Sequence, residues 1–273
     1  MPFNKEQYLS RIGISQPPAT AEGLVRLQSA QLQAIAFENI DPLLGVTPSL
    51  DTASIVRKLI HGRRGGYCFE LNGLFGQALD ALGFRYTPVL ARVRMGQPEG
   101  GPRAHLLFLV ETEDGAWLAD AGFGGPGFPA PLRLETGLEQ TMAGDAFRIR
   151  QDRLFDELVV EKHTPDGWFA LYGFDRASVR PCDLEAANVV CSSWSQSPFP
   201  FHLMMNRCTP FGRISLFDTN FTETQSGTSM TRAIETPAEL GEIIRNDFGI
   251  DIGPAPLAAI AARLSFECVD APV

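Results

Sequence analysis

The period of the hydrophobic pattern changes twice along this chain, and those changes limit the fold more than any single residue does. Up to about residue 84, apolar residues recur at spacings of three and four, as on a helix laid against a core. Across 22–37, Leu24, Leu27, Leu32 and Ile35 share one face, and Thr20 is placed to cap the start. A second helix is expected from Asp51, with Ile55, Val56, Leu59 and Ile60 inward. A third is expected over 68–82, carrying Leu71, Leu74, Phe75, Ala78, Leu79 and Leu82 and stopped by Gly83. From Tyr86 the pattern turns to short β-rich runs at 87–93, 105–111 and 116–120, with a Glu113-Asp114-Gly115 turn joining the last two. Further strands are expected near 147–150, 157–162 and 167–172. A third region opens near Pro181 with a helix from Asp183, then a Ser- and Pro-rich loop at 192–200. Strands at 212–218, 220–224 and 229–234 follow, and helices are expected from Pro237 and from about Pro256. Helices, then strands, then a mixture predict an α+β protein with an antiparallel barrel or sheet, not alternating βαβ units.

A chain of 273 residues buries a core without staples. Its net charge is −9, and the densest basic stretch, His61 to Arg64, is four residues long. A phosphate backbone needs clustered cations, so nucleic acid is not an expected partner. Runs such as 106–110 are far too short to span a bilayer, and residues 1–7 lack a basic stretch leading into an apolar run. A cytoplasmic protein with no membrane partner is expected. The five cysteines (Cys68, Cys182, Cys191, Cys208, Cys268) are odd in number and widely spaced. Reduced thiols, no structural metal and no bound prosthetic group are therefore expected.

Arg63-Arg64-Gly65-Gly66-Tyr67-Cys68-Phe69-Glu70 is the most informative segment. Two glycines allow a sharp turn, and Cys68 then falls in the first turn of a helix, whose dipole favours a thiolate and lowers its pKa. Cysteine is also among the most buried residue types, so the plain alternative is a small core residue. A cysteine nucleophile needs a base. His105 opens the apolar strand 105–110, and Asp120 ends the next strand, just before Ala121-Gly122-Phe123-Gly124-Gly125. A short turn joins those strands, which makes them neighbours in one sheet. Asp120 is then placed to orient the imidazole, leaving its other nitrogen for Cys68. Taken alone, His105 reads more often as a structural residue than as a catalyst, and Asp120 more readily as a turn residue. The glycine-rich run at 122–127 offers backbone N–H groups to a phosphate or carbonyl oxygen, but it is neither a dinucleotide fingerprint nor a P-loop.

Together these segments resemble the arylamine N-acetyltransferases. Arg64-Gly65-Gly66-Tyr67-Cys68-Phe69-Glu70 is similar to that family's Arg-Gly-Gly-x-Cys-Phe-Glu, and His105-Leu106 to its histidine segment. Asp120-Ala121-Gly122-Phe123-Gly124 is similar to its Asp-Val-Gly-Phe-Gly, with Ala121 in place of valine. Phe37-Glu38-Asn39 and the segment from Asn188 to Phe199 also match, with Ser195 where proline is common. The resemblance covers nearly the whole chain.

It implies a helical bundle with the nucleophile (1–84), a β-barrel with the histidine and aspartate (85–181), an interdomain segment (182–211) and an α/β lid (212–273). The catalytic core would be cysteine-protease-like. It further implies a ping-pong reaction with acetyl-CoA as co-substrate and an aromatic amine, hydrazine or arylhydroxylamine as acceptor. Cys68, His105 and Asp120 take the catalytic positions. Phe123, Gly124 and Phe199 lie along the acetyl and pantetheine cleft, and Phe37, with Phe123 and Phe199, lies near the acceptor. Each aromatic reads equally as pocket or core. A monomer or homodimer is expected. Aryl amines and hydrazines stay neutral at pH 7, as the second transfer requires. Glu38 and Arg64 are expected to pair beneath the glycine turn. Three other readings share these residues: an amide synthase using a longer acyl chain, a thiol hydrolase or transglutaminase-like enzyme, and a small-ligand binding module.

Overall fold

The helical period of the first third produces α1 (Lys5–Ile12) and α2 (Ala21–Ala34) in a computed structural model that describes residues 2–225, 227–264 and 266. Cys268 lies outside the described residues. The Thr20 side chain accepts from the Gly23 N–H and caps α2. That helix stops at Ala34, short of Phe37, because Ile35 turns to extended dihedrals and β1 (Phe37–Glu38) pairs as a strand with Asn206 and Met205. Then come α3 (Ile40–Leu43) and α4 (Thr52–Ile55), the latter capped by the Asp51 carboxylate. The helix expected from Asp51 changes at Val56 to a π-helical stretch, Val56–His61, whose wider turns a hydrophobic period does not reveal. α5 (Cys68–Ala81) ends beside Gly83, which takes φ +78°.

The middle of the chain carries β2 (Arg85–Val93), β3 (Arg103–Thr112), β4 (Gly115–Ala119), β5 (Leu132–Arg133), β6 (Gln140–Met142), β7 (Asp145–Asp152), β8 (Glu157–Thr164) and β9 (Gly167–Phe174). They form one antiparallel sheet in the order β5-β4-β3-β2-β9-β8-β7-β6. Its edge strands meet through the Gln140 carboxamide. The Arg133 N–H donates to Gln140 Oε1 at 2.7 Å, and Gln140 Nε2 donates to the Arg133 carbonyl at 3.1 Å. The sheet is thus a near-closed barrel, which hides its edges from other chains. β3 shows why 106–110 is unbroken in hydrophobicity. Leu106, Phe108 and Val110 pack with the helices, while Leu107 packs inside the barrel with Val89, Leu118, Val160 and Leu171.

α6 (Pro181–Ser193) leads to β10 (Met204–Thr209), β11 (Gly212–Phe217), β12 (Asn220–Gln225), β13 (Thr228–Ala233), α7 (Pro237–Asn246) and α8 (Pro254–Arg263). The second sheet runs β1-β10-β11-β12-β13, so a two-residue strand from the first third forms one of its edges. Its core joins Ala36, Ile40 and Leu43 to Leu216, Ile243 and Phe248. β10, which the period does not disclose, fills part of the stretch expected to connect regions. The architecture is α+β, as the order of periods predicts. Among the described residues, no helix is long and apolar enough to cross a membrane.

Candidate active site

Gly65 and Gly66 bring the chain into α5 across the backbone of β1. A Cβ on Gly65 would lie 2.2 Å from the Ala36 carbonyl oxygen, so no side chain fits there. Glu38 N–H donates to the Gly66 carbonyl at 3.0 Å and fixes the turn. Cys68 is consequently the first residue of α5, and it is 4% exposed. The expected pairing of Arg64 with Glu38 is present, with Nε and Nη2 donating to Oε1 at 2.9 and 2.7 Å. The cluster is larger than expected. Lys58 Nζ pairs with Asp41 at 2.7 Å and with Glu70 at 2.8 Å, Arg64 reaches Asp41 at 3.0 Å, and Glu70 accepts from the Tyr67 N–H at 3.2 Å.

His105 Nε2 and Asp120 Oδ2 lie 2.7 Å apart, both residues being 2% exposed. Asp120 receives three further hydrogen bonds, from the Tyr172 hydroxyl to Oδ2 at 3.0 Å, and from Asn72 Nδ2 at 2.9 Å and the Gly122 N–H at 3.0 Å to Oδ1. Burial alone would push the Asp120 carboxyl up. The His105 charge and hydrogen bond, with the Asn72 and Gly122 donors, outweigh it and hold the carboxyl below its usual range. With Nε2 engaged, Nδ1 is the imidazole nitrogen left for another partner.

Cys68 and His105 line one largely apolar cavity of about 530 Å³, and Phe37, Phe123 and Phe199 line it as well. Phe123 stands edge-on to the His105 ring at 5.0 Å between centroids, and Phe199 packs on Tyr67 at 5.8 Å. Gly124 does not line the cavity. It takes φ +68° and backs Phe37, whose ring a Cβ on Gly124 would meet at 2.8 Å. Gly125 and Pro126 form the wall there instead. The Cys68 sulfur has the Ala104 carbonyl as a polar contact at 4.0 Å. Burial pushes its thiol up, and the Cys191 thiol and the Asp120 charge push it further, while the Phe69 backbone N–H acts the other way. The lowering expected from the helix start is thus outweighed by desolvation.

Sequence reading missed several residues of this site. Asn72 lies one helical turn beyond Cys68, donates to the Leu106 carbonyl at 2.6 Å as well as to Asp120, and accepts from the Ala121 N–H at 2.9 Å. Its four-residue spacing from Cys68 was the available signal. Gln28 accepts from the Asp120 N–H at 2.9 Å. Asn206 lines the cavity and is buried, with no hydrogen-bond partner for Nδ2 among the described residues.

A carboxylate-paired imidazole that shares an apolar cavity with a buried thiol suits acyl transfer through sulfur. Comparisons with known proteins agree. Residues 20–257 match the family model described as N-acetyltransferase. The arylamine N-acetyltransferase / N-hydroxyarylamine O-acetyltransferase of Salmonella typhimurium is 36% identical over 253 residues, covering 89% of each chain. The solved structure of the Salmonella typhimurium arylamine N-acetyltransferase superposes with a TM-score of 0.89 at 33% identity, over 94% of this chain and 97% of that one. That of the Mycobacterium marinum enzyme in complex with CoA gives 0.88 at 33% identity, over 96% and 98%. This chain belongs to the arylamine N-acetyltransferase family.

Proposed function

We propose that the protein transfers acetyl from acetyl-CoA to arylamines, hydrazines or arylhydroxylamines in two steps, through an acetyl thioester on Cys68. The observation that carries this reading is the 2.7 Å contact of Asp120 with His105, which lines the same cavity as Cys68. The CoA bound to the Mycobacterium marinum relative supports the choice of donor.

Cys68 passes its proton to His105 Nδ1 as its sulfur attacks the thioester carbonyl. Asp120, ionised and hydrogen-bonded to Nε2, stabilises the imidazolium. The tetrahedral adduct collapses, its C–S bond to CoA breaks, and CoA leaves as its thiol with the proton that His105 supplies. One thioester replaces another, so this half-reaction is close to balanced. A neutral aryl amine or hydrazine then attacks acetyl-Cys68, and His105 takes the nitrogen proton while Cys68 regains its thiol. Phe37, Phe123 and Phe199 line the acetyl and acceptor space, and Gly125 and Pro126 form the wall along which pantetheine lies. Asn206 Nδ2, with no hydrogen-bond partner among the described residues, is the donor available to a bound carbonyl or acceptor oxygen. The helices of 1–84 supply the nucleophile and the barrel of 85–181 supplies the base. The segment 182–211 joins them to the lid of 212–273. The reading places the chain in the cytoplasm, where thiols remain reduced.

The test is intact mass after mixing with acetyl-CoA and no acceptor. One acetyl group should appear on wild type, map to Cys68, and disappear when an arylamine or hydrazine is added. Cys68→Ser should gain none of the labile acetyl. Acetyl lost to water just as fast without acceptor would instead establish a hydrolase.

A further inference from the structure

Ala104 directly precedes His105, and its carbonyl oxygen receives two sulfurs. Cys68 Sγ lies 4.0 Å from it and Cys191 Sγ 3.2 Å. The two cysteines come from different helices, Cys68 from the start of α5 and Cys191 from the last turn of α6. Both are buried, at 4% and 6% exposure, and both are free thiols. Both line the cavity, whose wall also includes the partly exposed Val93, Met95, Trp194 and Phe217, so small solutes have a route to the sulfurs. Nothing in the acetyl-transfer chemistry uses the second thiol.

We propose that Cys68 and Cys191 form a two-thiol modification site for hydroperoxides, which closes into a reducible disulfide and removes Cys68 from acyl transfer. The Cys68 thiolate, its proton on His105, attacks the terminal peroxide oxygen. The O–O bond breaks, and Cys68 becomes a sulfenic acid. The departing alkoxide or hydroxide takes the proton from His105 and leaves as alcohol or water. Cys191 sulfur then attacks the sulfenic sulfur. The S–O bond breaks, and hydroxide leaves with the Cys191 proton as water. Two thiols lose two electrons and two protons, and the hydroperoxide is reduced to an alcohol and water, or to two waters from hydrogen peroxide.

The site is suited to this order of events. Cys68 has the base, so it is the thiol that attacks. Cys191 donates to a carbonyl and lies in a helix end, where Trp194 is already extended, so its side chain swings at the loss of one weak hydrogen bond. A sulfenic acid with a thiol beside it condenses before a second peroxide oxidises it irreversibly. Cys191 therefore acts as a protecting thiol. Without it, oxidised Cys68 proceeds to the sulfinic acid, which thiols do not reduce.

The experiment exposes the purified chain to a modest excess of hydrogen peroxide, removes it with catalase, and maps thiols by peptide mass without reduction. Wild type should lose the mass of two hydrogens and yield a Cys68–Cys191 crosslinked peptide. Its activity should fall more than tenfold and return on treatment with dithiothreitol. Cys191→Ala, compared with its own activity before treatment, should recover at least tenfold less and carry sulfinic Cys68. A phenyl trivalent arsenical should bridge both sulfurs in wild type, adding one arsenical at the cost of two thiols. Oxidised wild type with Cys191 still free, or Cys191→Ala recovering as fully as wild type, would overturn the proposal. The crosslink is read on native wild type by mass alone. It therefore stands or falls separately from the acetyltransferase reading, and it does not depend on the variant folding.

Discussion

Asn72 holds the candidate site together through a single carboxamide. Nδ2 ties the Leu106 carbonyl and Asp120 Oδ1 to α5, and Oδ1 takes the Ala121 N–H. The helix that presents Cys68 thereby also sets the strand end that presents Asp120. Asn72→Ala leaves two backbone groups and one carboxylate oxygen short of a buried partner, at about 1–3 kcal/mol for each group. A residue that positions others should lower kcat far more than it raises KM, so steady-state kinetics should show at least a tenfold fall in kcat with KM within about threefold. Asn72→Asp should be worse, because it sets a second carboxylate against Asp120 Oδ1. Equal effects on kcat and KM would mean that Asn72 does not act through Asp120. At this scale Cys68, His105 and Asp120 were legible because each sits in a short motif with its own local geometry. Asn72 and Cys191 were not, because their roles come from partners far along the chain, such as Leu106, Asp120 and Ala104. Burial likewise reversed the expected shift of Cys68, and depth in the fold is invisible to a motif.

At the scale of elements, the turn into α5 rests on three carboxylates and two cations. Glu38 and Arg64 were legible as a pair from their motifs. Lys58 was not, because it lies in the π-helical stretch, where the wider turn sets its direction. Glu38→Gln removes the most buried partner of Arg64, but Asp41 remains and Arg64 is partly exposed. The loss should fall at the low end of the roughly 3–5 kcal/mol for a broken buried pair, read by urea unfolding. With acids in excess, one should hold a proton near neutrality, and that acid is Glu70. Burial pushes it up to about 7, against the pull of Lys58 and with the push of Glu38 and Asp41. Its folded pKa therefore exceeds its unfolded value of 4.5. The stabilisation it gives is complete below the unfolded value and disappears as pH rises through about 7. Wild type should lose stability between pH 5 and 8, on the order of 3 kcal/mol at most. Glu70→Gln should flatten that slope while still accepting from the Tyr67 N–H. An unchanged slope would assign the proton to another group.

On the scale of the whole molecule, the helical region, barrel and second sheet meet at Phe37. It bridges to Gly66 two residues before Cys68, pairs with Asn206 of β10, and packs against Gly124 of the barrel loop. The order of the three regions was legible in the hydrophobic period, which is local. The strand that joins them was not, because two residues carry no period and their partner is in the last third of the chain. Gly124 is where this junction can be perturbed without touching the thiol, the imidazole or the carboxylate. Gly124→Ala puts a side chain into the left-handed region, at about 1–2 kcal/mol. It also sets a Cβ 2.8 Å from the Phe37 ring, so the ring must move. Because Phe37 lines the cavity, the movement changes the wall that the proposed function assigns to the acceptor, while His105 and Asp120 keep their contact. Acetylation of Cys68 in single turnover should remain within about threefold of wild type, whereas KM for a bulky aryl amine should rise about tenfold and for a small hydrazine much less. A loss shared equally by both half-reactions would show that Gly124 supports the donor or the catalytic groups instead. Thermal unfolding of the same variant separates the two consequences. Strain at Gly124 lowers Tm with every substrate, and displacement of Phe37 appears only as discrimination between acceptors.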